Sequence, residues 1–156
     1  MTPAVRKAEQ ARIPFRLHEY EHDPASESYG DEAAVKMGVD ADRVFKTLVV
    51  SGGGRDLFVA VVPVSRQLDL KRFAKSVGAK KIAMAEKKEV ERTTGYVLGG
   101  VSPLGQKRQF MTVIDRSALN FETIFVSAGR RGLEIELAPA DLCSLTNGRF
   151  DSIGKC

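Results

Sequence analysis

Tryptophan is absent, and cysteine and histidine occur only twice each, as Cys143 and Cys156 and as His18 and His22. Two cysteines build no disulfide framework, and with two histidines they reach none of the usual zinc spacings, so no metal site is expected. Without tryptophan there is no indole platform on which a base could stack. No run approaches the ~18 apolar residues of a membrane span. The N-terminus, MTPAVRKAEQARIPF, carries charges where a secretion signal needs its apolar stretch. A cytoplasmic protein with no membrane partner is expected. The glycine-rich stretches match neither a phosphate-binding Walker loop nor a dinucleotide fingerprint, and no cofactor is expected.

What is present suits an ordinary folded protein. The 156 residues are 43% hydrophobic and 28% charged, a length that buries about two-thirds of the unfolded surface in one domain over residues 1–156. Charge is unevenly placed. Residues 1–45 hold 6 Lys/Arg and 9 Asp/Glu, and residues 46–156 hold 18 and 11. The basic excess lies beyond residue 45, which is compatible with a polyanion partner and equally with none.

The pattern predicts helices and strands in alternation. Thr2 caps and Pro3 opens a helix over 3–12. Residues 15–20 alternate as a half-buried strand, with Phe15 and Leu17 on one face and Arg16, His18 and Tyr20 on the other. After the polar loop 21–30, a short helix spans 31–37. Runs at 45–51 and 57–63 form a hairpin across GGGRD. Asp69 caps an amphipathic helix ending at Gly78, with Leu70, Phe73, Ala74 and Val77 inward and Lys71, Arg72 and Lys75 outward. A short strand near 81–84 and a helix over 86–93 follow. Strands are expected at 109–115, 123–127 and 133–137, with AGRRG at 128–132 as the last turn. Pro139 opens a final helix, and the polar tail from Asn147 is expected to fray. The class is α+β, with a mainly antiparallel or mixed sheet.

Three features could carry chemistry. Lys46 lies on a strand whose two faces are both apolar, Phe45, Thr47 and Val49 against Leu48 and Val50. Its ammonium either reaches water along its stem or forms the floor of a pocket for a polar ligand. Gly99 and Gly100 of GGVSPLG can expose successive backbone N–H groups as a cradle for an oxyanion, or the segment is a plain surface loop. Arg130 and Arg131 stand at a hairpin tip, where guanidinium groups suit phosphate, or where water alone meets them. Glu134 and Glu136 alternate against Leu133, Ile135 and Leu137 and face solvent or a cleft.

With these residues laid out, the chain resembles the YbaK/EbsC family of aminoacyl-tRNA deacylases, nearest to its free-standing Cys-tRNA(Pro) deacylases. The resemblance runs through IPF-HEY-HDP at 13–24, GDEAA at 30–34, FKTL at 45–48, TTGYVLGGVSPLGQK at 93–107, TVID at 112–115 and FETIFVSAGRRG at 121–132. It implies a six- or seven-stranded mixed sheet or partial barrel flanked by helices. It implies hydrolysis of a mischarged aminoacyl ester, cysteine on tRNA(Pro); the chemistry of a cysteine ester allows self-attack by the substrate thiol, with thiolactone release as its lyase-like form, and an ester without a thiol needs water instead. The family's lysine maps to Lys46 and the threonine after it to Thr47. Its aromatic positions map to Tyr20 and Tyr29, its glycine loop to Gly99–Gly105, its serine to Ser127 and its acidic residue to Glu136. In that reading Lys46 and the N–H groups of Gly99, Gly100 and Val101 are catalytic. Tyr20, Tyr29, Thr47, Ser102, Ser127 and Glu136 contact substrate. Arg130, Arg131, Lys71, Arg72 and Lys75 hold tRNA backbone, and prolyl-tRNA synthetase is a transient partner. The alternatives are an Ala-tRNA(Pro) or broad-specificity deacylase, and a non-catalytic module binding tRNA or aminoacyl-adenylate.

Overall fold

The computed structural model describes residues 1–26 and 28–156. In chain order the elements are α1 (Pro3–Ala11), β1 (Phe15–Glu19), α2 (Tyr29–Met37), β2 (Phe45–Ser51), β3 (Leu57–Pro63), β4 (Gln67–Leu68), α3 (Leu70–Val77), β5 (Ala83–Met84) and α4 (Lys87–Thr94). Then come β6 (Met111–Asp115), β7 (Ile124–Arg130), β8 (Leu133–Leu137), α5 (Pro139–Thr146), β9 (Arg149–Asp151) and β10 (Gly154–Lys155). Local chemistry sets the boundaries as expected. The Thr2 hydroxyl accepts from the Val5 N–H, and the Asp69 carboxylate accepts from the N–H groups of Lys71 and Arg72.

The β2–β3 hairpin is the centre of a five-stranded mixed sheet ordered β5-β2-β3-β6-β9. Its strand alternation feeds two cores. Phe45, Val49, Val59 and Val61 meet Ile124, Val126 and Ile135 on one face. Val50, Ala60 and Val62 meet Phe73 and Ala74 of α3 on the other. That double burial explains why both faces of β2 are apolar. A second sheet, β1-β8-β7, closes over the first core, and the two sheets meet through a parallel bridge between Val44 and Phe125. The α+β fold with a mixed sheet and flanking helices is as the sequence predicts. Its strands are divided into sheets of five, three and two rather than forming one of six or seven.

Three local expectations are corrected. On β1, Leu17 is 44% exposed, while the His18 ring packs edge-on against Phe125 at 5.2 Å. β1 is an edge strand, and α2 and its neighbours cover the face opposite Leu17. The 128–132 segment is not all turn. β7 continues to Arg130, with an irregularity between Ser127 and Arg130, and only Arg131–Gly132 turns. The tail does not fray. The Asp115 carboxylate accepts from the N–H groups of Ile153 (3.0 Å) and Gly154 (2.9 Å), Ile153 is buried, and β9 and β10 pair with β6 and β4.

Candidate active site

Between the Val44–Phe125 bridge and the pairing of Val50 with Met84, the outer edge of β2 has no strand beside it among the described residues. The Val44 carbonyl accepts from Val64 on the β3 side, so antiparallel alternation turns the backbone groups of Thr47 to the open edge. A cavity of about 360 Å³ occupies this gap, within the roughly 300–1,000 Å³ of small-molecule sites. Lys46 and Thr47 form its floor. Tyr20 and Tyr29 stand on one side, Ser127 and Glu134 close it from the three-stranded sheet, and Met84, Val90, Leu98, Gly99 and Val101 complete it.

Several polar groups in the cavity lack partners among the described residues. The Thr47 hydroxyl is buried there with no hydrogen bond. Lys46 forms no ion pair among the described residues; burial pulls its ammonium pKa down, and the charge of Asp31 works against that shift. Glu134 is 6% exposed, and burial pushes its carboxyl up to about 8. Burial, with the nearby Glu134 charge, also raises the Tyr20 phenol to about 12.

The rim is rigid. The Arg131 guanidinium donates from Nε (3.0 Å) and Nη2 (2.6 Å) to the Leu98 carbonyl and stacks 4.4 Å from the Tyr29 ring centroid. Gly99 has φ +87°, and a Cβ there would lie 2.6 Å from the Tyr29 ring and 2.7 Å from Arg131 Nε. Only glycine fits that approach. On its outer side, Tyr29 meets the His22 ring at 5.8 Å. His22 is held by Glu32 at 2.7 Å, and Glu32 also accepts from the Asp23 N–H.

The structure brings Lys46, Thr47, Tyr20, Tyr29, Ser127, Gly99 and Val101 together, and sets other sequence candidates elsewhere. Gly100 does not line the cavity and its N–H is committed to the Val97 carbonyl at 2.9 Å, so it offers no oxyanion donor. Ser102 is wholly buried and its Oγ accepts from Leu104. Glu136 lies outside the cavity, bound by Thr123 at 2.5 Å and His18 at 2.8 Å, with Arg43 at 3.6 Å. Arg131 is a strap between hairpin and loop, whereas Arg130 is exposed near Glu19. Lys71, Arg72 and Lys75 lie on α3, across the five-stranded sheet from the first core, and none lines the cavity; Arg72 binds the Gly154 carbonyl and Asp69.

Glu134, which the alternation leaves facing solvent or a cleft and to which the resemblance assigns no role, lines the cavity. Its signal was hidden in register. With Arg130 opposite Leu133, a regular hairpin would set Ser127 against Glu136; the irregularity in β7 sets it against Glu134. Gly129 makes this conformation accessible at φ +110°, where a Cβ would lie 2.8 Å from the Tyr96 ring.

Among the described residues no cluster of three or more His, Cys, Asp or Glu could hold a metal ion, and no helix is long and apolar enough to cross a membrane.

Residues 23–145 match the model of the aminoacyl-tRNA editing domain family. The chain is 43% identical, over 97% of its length and 92% of the other's, to EbsC of Enterococcus faecalis, a proposed Cys-tRNA(Pro)/Cys-tRNA(Cys) deacylase. It is 32% identical to the uncharacterised protein YwhH of Bacillus subtilis, over 72% of this chain and 71% of that one. Its fold superposes with a TM-score of 0.83, at 24% identity and over 100% of this chain and 99% of the other, on a crystal structure of a proposed trans-editing enzyme for prolyl-tRNA synthetase.

Proposed function

The chain belongs to the aminoacyl-tRNA editing domain family, and from that premise we propose that it is a deacylase that removes cysteine from mischarged tRNA(Pro). The observation that carries this reading is the cavity: an ammonium, an uncommitted carboxyl and an unpartnered hydroxyl, with no imidazole or thiol in its lining. Among the described residues neither the Thr47 nor the Ser127 hydroxyl is hydrogen-bonded to a histidine, lysine or carboxylate, the coupling that activates a protein nucleophile; Ser127 Oγ accepts from the Gly129 N–H. An aminoacyl ester is already activated, so orientation and charge stabilisation suffice.

Lys46 holds the terminal ribose and its phosphate and orients the ester. The N–H groups of Gly99 and Val101 receive the developing oxyanion. Glu134, buried without a cation partner among the described residues, receives the α-ammonium, which would ionise it on binding. Tyr20 and Tyr29 wall the nucleoside side.

A pocket that sorts by size separates cysteine, alanine and serine by only about 1–3 kcal/mol. Thiol self-attack escapes that limit. Sγ bonds to the carbonyl carbon, the ester C–O bond breaks, and the ribose oxygen takes up the thiol's proton, releasing tRNA and a thiolactone that water then opens. For an amino acid without a thiol, water adds to the carbonyl directly. Identity of the tRNA is read weakly, and prolyl-tRNA synthetase delivers the correct one through a transient complex.

The test is a panel of Cys-, Ala-, Ser- and Pro-tRNA(Pro), with S-alkylated Cys-tRNA(Pro) beside them. Cys-tRNA(Pro) is expected to be cleaved fastest and the alkylated ester slowly. Equal cleavage of the alkylated and native esters removes the thiol route and leaves water. Binding of all five without hydrolysis identifies a non-catalytic module.

A further inference from the structure

The cavity has room for one nucleoside-sized group and its ester. In an aminoacyl-tRNA that group ends a polyanionic strand, so the strand must leave across one wall of the mouth. The walls differ in charge. Residues 19–32, which supply Tyr20, Tyr29 and Gly30, contain six Asp/Glu and no Lys/Arg. Residues 80–92, which supply Met84, Ala85 and Val90, contain five Lys/Arg and three Asp/Glu.

On the basic wall, Lys80, Lys81, Lys87 and Lys88 are exposed, and none forms an ion pair among the described residues. Two of the wall's carboxylates are already engaged: Glu89 binds Arg92 at 2.7 Å, and Glu91 accepts from the Leu98 N–H at 3.0 Å. The mouth also carries exposed apolar side chains. Met84 and Leu98 line the mouth at 52% and 42% exposure, and Val97 beside them is 57% exposed.

We propose that the single-stranded 3′ end of the tRNA acceptor arm leaves the cavity over Met84, Val97 and Leu98 and sets its phosphates on Lys87 and Lys88 of α4, with Lys80 and Lys81 beyond. The path rests on the deacylase reading above. Lys36 and Arg131 lie over Tyr20 and Tyr29 and Lys36 pairs with Glu32 at 3.3 Å, so the acidic wall is partly neutralised; the basic wall keeps four lysines without an ion pair among the described residues, and charge favours that direction. Lysines facing phosphates carry no sequence information, and exposed apolar side chains accept any base face, so this surface binds tRNA ends without choosing among them. Lys71 and Lys75 are equally basic but lie on α3, against the other face of the five-stranded sheet.

The experiment compares the double variant Lys87→Ala/Lys88→Ala with Lys71→Ala/Lys75→Ala on two substrates, Cys-tRNA(Pro) and the cysteinyl ester of adenosine. The α4 variant is expected to lose about tenfold in kcat/KM on the tRNA, through KM, and to flatten the log–log salt dependence by about 1–2. Its hydrolysis of the adenosine ester stays at the wild-type rate. The α3 variant is expected to match wild type on both. An unchanged salt slope and kcat/KM in the α4 variant overturns the path, as does an equal loss in the α3 variant. Wild-type protein that cleaves neither ester overturns the deacylase reading and the path with it; cleavage of both, indifferent to Lys87 and Lys88, overturns the path alone.

Discussion

Glu134 and Glu136 lie two residues apart on the same face of β8, in two regions built on opposite terms. Glu136 belongs to a satisfied knot: it accepts from Thr123, pairs with His18 and lies near Arg43, which itself binds the Thr123 carbonyl. Those partners hold its carboxyl below the usual range, although burial works the other way. Glu134 lines the cavity with the Thr47 hydroxyl, which has no partner among the described residues, and its own carboxyl forms no ion pair among them and stays protonated up to about 8. Buried polar groups in folded proteins are ordinarily paired. A region that pairs every group supports the fold, and one that leaves them unpaired is shaped for something that arrives later.

The sharpest way to break this contrast is at Lys46. Lys46→Ala should lower kcat/KM on Cys-tRNA(Pro) by on the order of 100-fold, while circular dichroism and the melting temperature stay near wild type. Wild-type turnover by the purified variant would remove the cavity from the mechanism.

Glu134→Gln comes next. It should lower kcat/KM about tenfold, the loss of one charge-assisted contact, and stability should show the opposite sign. An unfolded glutamate titrates near 4.3, whereas Glu134 titrates near 8 in the fold. Between those values the native state binds the extra proton, so wild type loses stability as pH rises from about 4.3 to about 8. The variant should lack that decline in melting temperature, and equal slopes for the two proteins would refute the burial.

Glu136→Ala should reverse the pattern. It breaks the Thr123 and His18 bonds and removes the carboxylate near Arg43, which keeps its bonds to Thr123, at a cost of about 1–3 kcal/mol, with deacylation per folded molecule within about twofold of wild type. Its folded pKa is depressed, so its contribution is present above the unfolded value and disappears as pH falls through the folded one. Urea melts at neutral and acid pH check this. A large loss of activity without loss of stability would return Glu136 to the site.

The smallest difference separates two threonines. Thr123→Val removes a hydroxyl that binds Glu136 and should cost about 1 kcal/mol. Thr47→Val removes one with no partner among the described residues and should leave the melting temperature unchanged or higher, while raising KM a few-fold.

Much of the architecture was legible because it depends on neighbours in the chain. Asp69 ahead of an amphipathic run, glycine after Met37, Val77 and Thr94, and GGGRD between two β-rich runs each state their own structure. Lys46 on a doubly apolar strand was legible for the same reason, since a lone ammonium there needs an explanation in any fold.

The sequence by itself determined the helix ends, the central hairpin, the family motifs and the cation at the site. Only the tertiary structure decided which glutamate lines the cavity with that cation, that α4 supplies one of its walls and whether the tail is ordered. Alternation along β8 gives Glu134 and Glu136 the same face, and a local pattern cannot separate them. The choice lies in β7, where Gly129 passes beneath Tyr96 and Thr2 and shifts the register by two residues. The tail is fixed by Asp115, 38 and 39 residues before the N–H groups it binds. Contacts between residues so far apart in the chain leave no periodic trace in it, because they are set by how finished elements pack.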